Sequence, residues 1–61
     1  MPIVTVKMIE GRTDEQKREL VEQVTEAVSK TVDAPKENVF IVIEEMKKSD
    51  YAIGGVRLSD K

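Results

Sequence analysis

Val39-Phe40-Ile41-Val42-Ile43 is an unbroken run of apolar residues rich in β-branched side chains, and it predicts a strand. Alternate side chains of a strand point to opposite faces, so one helix can cover only one of them. The other face needs a cover, and a second copy of the chain is the natural one. Upstream, Ile3 to Ile9 sets Val4, Val6 and Met8 on one side of a period-2 pattern, a second expected strand. Glu10 and Gly11 break it. Thr13 with Gln16 then forms a capping-box pattern, and Asp14 and Glu15 complement the positive end of a helix dipole. Leu20, Val21, Val24, Ala27, Val28 and Val32 recur at helical spacing as the expected buried face, with Lys17, Arg18, Glu22, Glu26 and Lys30 at other positions. Arg18 with Glu22 and Glu26 with Lys30 are the expected i,i+4 pairs. Asp33, Ala34 and Pro35 end the helix, because the residue before a proline is pushed out of helical geometry. Strand, helix, strand predicts a parallel, right-handed βαβ unit. Downstream, Tyr51 to Leu58 reads as a short hairpin turning at Gly54 and Gly55, too small to stand without a neighbour.

A chain of 61 residues lies near the lower limit for an independent apolar core. It has no cysteine and no histidine, which excludes a disulfide framework and a Cys/His zinc site and leaves self-association as the expected staple. Lys and Arg number 10 against 12 Asp and Glu, so no basic face for nucleic acid and no polybasic membrane segment is expected. No apolar run is long enough to span a membrane and no secretory h-region opens the chain, which makes the cytoplasm the expected compartment. No linker or internal repeat divides residues 1–61, so a single domain is expected.

The opening Met1-Pro2-Ile3, the EGRTDEQK run from Glu10 to Lys17, the DAP at Asp33 to Pro35, the EEM at Glu44 to Met46 and the IGG at Ile53 to Gly55 together resemble the 4-oxalocrotonate tautomerase family. The resemblance covers nearly the whole chain. It implies an α+β fold in which two βαβ units pair into a four-stranded sheet, and a homohexamer built as a trimer of dimers. It also implies a cofactor-independent keto-enol isomerase whose sites draw residues from more than one subunit.

Pro2 is the expected catalytic group. Removal of Met1 leaves a free secondary amine, and burial among apolar neighbours such as Ile3, Met8, Phe40 and Ile53 disfavours its charged form and makes it a better base near neutral pH. Such an amine removes a proton from the enol oxygen of a 2-hydroxydienoate and returns it to carbon. Arg12 falls where the family holds a substrate carboxylate, and a guanidinium grips a carboxylate bidentately and draws electron density from the reacting carbons. Tyr51 falls where the family places an aromatic that lines the pocket, and Ile53 is expected beside it. Glu44 and Glu45 point to opposite faces if both are in a strand and make a poor acid/base pair.

One departure bears on the substrate. Where the family prototype carries a second arginine for the carboxylate and carbonyl end of its substrate, this chain has Phe40. A phenyl ring cannot hold a carboxylate, so a monocarboxylate with an apolar or aromatic tail, of the phenylenolpyruvate type, suits the chain better than 2-hydroxymuconate. Two other readings are a hydrolytic dehalogenase of haloacrylates, which needs a water-activating carboxylate and a pair of arginines, and a non-catalytic oligomeric interaction module.

Overall fold

The computed structural model describes all residues from Met1 to Lys61. Strand β1 (Ile3–Ile9) leads into helix α1 (Asp14–Val32), which returns the chain to β2 (Phe40–Met46), and a hairpin of β3 (Ala52–Ile53) and β4 (Val56–Arg57) follows. Single 3-10 turns at Lys36–Asn38, Lys48–Asp50 and Leu58–Asp60 join or end these elements. β1 and β2 pair in parallel, with Ile3 opposite Phe40 and Ile9 opposite Met46, so the expected βαβ unit and hairpin are both present.

Local chemistry sets the boundaries of α1. Thr13 Oγ1 accepts from the Gln16 N–H at 3.1 Å while Gln16 Oε1 accepts from the Thr13 N–H at 2.9 Å, a complete capping box. At the other end Asp33 turns into the left-handed region, with φ 56 and ψ 50, and its N–H reaches the Ser29 carbonyl. The helix is therefore stopped by a left-handed cap one residue before the Ala34-Pro35 restriction acts.

Several details differ from expectation, each for a local reason. The second strand runs over Phe40–Met46 rather than Val39 to Ile43: Val39 N–H closes the preceding 3-10 turn on the Lys36 carbonyl, and pairing continues through Glu44 and Glu45. Arg18 does not pair with Glu22; it reaches back to Asp14 at 3.0 Å and Glu15 at 2.9 Å, two carboxylates of the first turn. Glu26 pairs with Lys36 rather than Lys30, and the Lys36 hydrogen bond and charge hold its carboxyl below the usual range. Ala27 and Val32 lie outside the half-buried face of α1, with Val32 57% exposed.

Alternation in both strands is strict enough to define two faces. Val4, Val6, Met8, Ile41 and Ile43 are half-buried on the side of α1. Ile3, Thr5, Lys7, Phe40, Val42 and Glu44 point the other way and are exposed. Val39 is the one buried residue in the chain. The radius of gyration, 14.6 Å, exceeds the roughly 10 to 11 Å of a compact chain of this length, because the hairpin projects as an arm along a 43 Å long axis. Burial this sparse cannot offset the conformational entropy of ordering the chain, so the open sheet face and the arm both call for a cover. No helix is long and apolar enough to cross a membrane.

Candidate active site

Pro2 sits at the entry to β1, where the Phe40 N–H donates to the Pro2 carbonyl at 3.0 Å and extends the parallel ladder by one bond. The proline is half-buried, whereas Met1 before it is 78% exposed. Ile3 and Phe40 stand opposite each other in the adjoining register position, on the open face, at 59% and 46% exposure. This end of the sheet thus gathers a proline, an aliphatic chain and a phenyl ring, with no charged side chain from either strand until Lys7 and Glu44.

Arg12 lies at the other end, in the Glu10 to Thr13 connection between β1 and α1. Its neighbours form a hollow of about 210 Å³ lined by Met8, Arg12, Gln16, Lys17 and Leu20. Met8 and Leu20 supply apolar wall, while Arg12, Gln16 and Lys17 supply donors. The capping box fixes this loop, since Gln16 is both a cap partner and a wall residue. Of the three arginines, Arg18 is held by Asp14 and Glu15, and Arg57 by Asp60 at 2.9 and 3.2 Å. Arg12 alone has no carboxylate partner. The Lys17 ammonium, by contrast, is taken by Glu45 Oε1 at 2.7 Å.

Tyr51 and Ile53 belong to the projecting arm, which leaves the Met46 end of β2 through the Lys48–Asp50 turn. The Tyr51 carbonyl accepts from the Leu58 N–H at 2.8 Å, and Gly54 and Gly55, at φ 61 and 86, supply the two positive φ values that a two-residue type I′ loop requires. Tyr51 is 39% and Ile53 59% exposed, so neither is consumed by packing within its own chain.

The expected site residues therefore fall into two groups. Phe40 stands beside Pro2; Arg12, Tyr51 and Ile53 belong to the opposite end, and so does Met8, expected among the neighbours of Pro2 but found beneath Arg12. The seven residues of β1 separate the groups by roughly 20 Å at about 3.3 Å per residue. A larger hollow of about 500 Å³, lined by Val21, Glu22, Gln23, Thr25, Glu26 and Lys36, contains none of the expected residues, and Val21 is its one hydrophobic residue. Gln16, Lys17 and Glu45 are the wall and support residues that sequence reading did not single out. Lys17 carried a signal, lying one turn after Thr13 and one turn before Leu20, but a lysine in a helix reads as solvated surface until its partner strand is placed.

A small βαβ unit with a projecting C-terminal hairpin is the architecture of a tautomerase-like fold. The family model described as tautomerase enzyme matches residues 2–61. The chain is 65% identical to the 2-hydroxymuconate tautomerase of Bacillus subtilis strain 168 over 60 residues, 98% of this chain and 97% of that protein. Among solved structures, YwhB, a homologue of 4-oxalocrotonate tautomerase, superposes with a TM-score of 0.95 at 63% identity, covering 98% of both chains. A heterohexameric 4-oxalocrotonate tautomerase from Chloroflexus aurantiacus J-10-fl superposes with a TM-score of 0.91 at 30% identity, over 98% of this chain and 97% of that one. The chain belongs to the tautomerase family.

Proposed function

We propose that the protein is a cofactor-independent keto-enol tautomerase of a 2-hydroxydienoate or related 2-oxo acid, acting in the cytoplasm as a homohexamer of single-domain chains. The observation that carries this reading is the unpaired Arg12 guanidinium over a partly apolar hollow, in a chain whose other arginines are both neutralised. An unpaired cation beside apolar wall is suited to a small carboxylate with a hydrocarbon tail. The relative named 2-hydroxymuconate tautomerase supports the reaction type, and the heterohexameric 4-oxalocrotonate tautomerase supports assembly of six chains.

Before any turnover, hydrolysis of the Met1–Pro2 peptide bond must release Met1, which is exposed, once and for all. While Met1 remains attached, Pro2 nitrogen belongs to a tertiary amide and is no base. The freed amine takes the proton from the enol oxygen, the electron pair moves through the diene, and the same proton returns to the terminal carbon of the conjugated system to give the ketone. Arg12 holds the carboxylate and draws charge away from the intermediate dienolate. Because Pro2 and Arg12 stand at opposite ends of β1, the working site combines Pro2 and Phe40 of one chain with Arg12 of another, and Tyr51 and Ile53 of a projecting arm close it against water.

The test follows the ultraviolet absorbance of 2-hydroxymuconate and of phenylenolpyruvate with the unaltered protein, Pro2→Ala and Arg12→Ala, with intact mass reporting the loss of Met1. Pro2→Ala is expected to lower kcat by two orders of magnitude or more, on the order of a lost general base, and Arg12→Ala to act mainly on KM. Equal rates in all three proteins sink the proposal, and chloride release from a haloacrylate replaces it with a dehalogenase.

A further inference from the structure

The open face of the β1–β2 sheet changes character along its length. Three register pairs stand on it: Ile3 opposite Phe40, Thr5 opposite Val42, and Lys7 opposite Glu44. The first two pairs leave Ile3, Phe40 and Val42 at 59%, 46% and 44% exposure, an apolar surface in want of a cover. The third sets one cation and one anion side by side on neighbouring strands of a face that is otherwise uncharged. Neither is neutralised within the chain. Ion pairs join Lys17 to Glu45, Arg18 to Asp14 and Glu15, Glu26 to Lys36, and Arg57 to Asp60, and Lys7 and Glu44 take part in none of them.

We propose that this face is an interface between copies of the chain in which Lys7 of one copy pairs with Glu44 of another, and that this pairing selects how the copies meet. The inference rests on the reading of the protein as a homo-oligomer. A second copy is the fitting occupant because the face complements itself: a copy turned to present the same two groups in exchange sets Lys7 on Glu44 and Glu44 on Lys7. Covering the face strips water from both charges. A copy laid with its Ile3 and Phe40 end over them offers no partner, so that arrangement carries the desolvation cost without the attraction that offsets it. The apolar pairs supply affinity, and the charged pair rejects the wrong alignment. This contact joins like ends of two sheets and is therefore distinct from the one that brings Pro2 to Arg12. A trimer of dimers has room for both, since it contains more than one kind of interface.

The experiment reverses the charges in the full-length protein and reads assembly by sedimentation velocity over a dilution series. Lys7→Glu and Glu44→Lys each set like charges against each other between copies, and each is expected to raise the concentration for half-dissociation roughly ten-fold or more. Both reversals in one chain restore it to within about three-fold of the unaltered protein. The two single variants are then refolded together at equal concentration and their chains counted by native mass spectrometry. Pairing between copies predicts that mixed assemblies exceed the binomial expectation and dissociate at lower concentration than either variant alone. Glu22→Lys, which makes the same change of net charge on α1, rescues Lys7→Glu to a smaller extent. The double reversal and the mixture keep the test decisive should a single variant fail to fold. Single variants as stable as the unaltered protein overturn the proposal. So does a double reversal that is restored while the mixture is not, which places the pair within one chain, or a rescue by Glu22→Lys equal to that by Glu44→Lys. A monomeric unaltered protein defeats the homo-oligomeric reading and this one together, whereas unaffected single variants of an assembling protein defeat this one alone.

Discussion

The two ends of the β1–β2 sheet differ in almost every respect that matters for chemistry. At the Pro2 end the backbone is fixed by a ladder bond, the side chains are apolar, and no cation or anion stands within the first register position. At the Arg12 end a capped loop carries an unpaired guanidinium, a neutralised lysine and an amide over apolar wall. One end suits a nitrogen that must be uncharged, the other an anion that must be held. A single chain keeps them roughly 20 Å apart. On the proposed reading, each end of a chain supplies half of a working site, and association would bring the halves of different chains together.

The strongest way to break this comparison is to divide the lesion between chains. Pro2→Ala and Arg12→Ala proteins, each strongly impaired in kcat/KM alone, the first through kcat and the second through KM, are unfolded together at equal concentration and refolded as mixed assemblies. If every site takes Pro2 and Arg12 from different chains, random mixing makes about a quarter of the sites whole and restores about that fraction of the unaltered kcat/KM. Were both groups supplied by one chain, every site would keep a lesion and the mixture would stay inactive. Turnover of the refolded mixture, measured against each variant refolded alone, decides between them.

Smaller in its effect on chemistry but direct in its bearing on association is a charge on the open face. Val42 is 44% exposed in the single chain and flanked across the sheet by Thr5. In an isolated chain, aspartate there meets water and costs little. Buried against another copy, it costs several kcal/mol per site unless it finds a partner. Val42→Asp is therefore expected to shift the assembly to smaller species in sedimentation velocity and to lower activity in proportion, because sites shared between chains are lost with it. An unchanged sedimentation coefficient would place the interface elsewhere.

The parts of this molecule governed by neighbours in sequence were legible before any coordinates. Thr13 and Gln16 announce the helix start, Gly54 and Gly55 the hairpin, and the alternation in Ile3 to Ile9 gives the faces correctly. What escaped depended on partners brought together by folding. Nothing near Glu26 distinguishes Lys30 from Lys36 until the 3-10 turn sets the latter beside it. Val39 looked like strand because it is β-branched, yet its N–H is spent on a turn and its side chain became the one buried group. The candidate site was legible as residue types, through Pro2, Arg12 and Phe40 within a family resemblance. Their separation to opposite ends was not read, since it follows only from the parallel register and the length of β1. Lys17 and Glu45 were invisible for the same reason, being 28 residues apart in the chain (45 − 17) and 2.7 Å apart in the fold.

The smallest expected effect sharpens the Arg12 end without touching Arg12. Thr13 Oγ1 satisfies one free N–H of the first turn of α1, and the reciprocal bond from the Thr13 N–H fixes Gln16 in the wall of the hollow. Thr13→Ala removes the first bond and loosens the second, at a cost of about 1 kcal/mol of stability per chain. Thermal unfolding at fixed protein concentration is the appropriate measure, since association contributes to the apparent midpoint. The Pro2 end is untouched, so proton transfer should proceed as before once substrate is bound. The loop that presents Arg12 loses part of its support, and the expected signature is a KM raised by a factor of about two to five with kcat nearly constant. A fall in kcat at unchanged KM would instead mean that the cap supports the reacting end, and the division of labour between the two ends of the sheet would have to be redrawn.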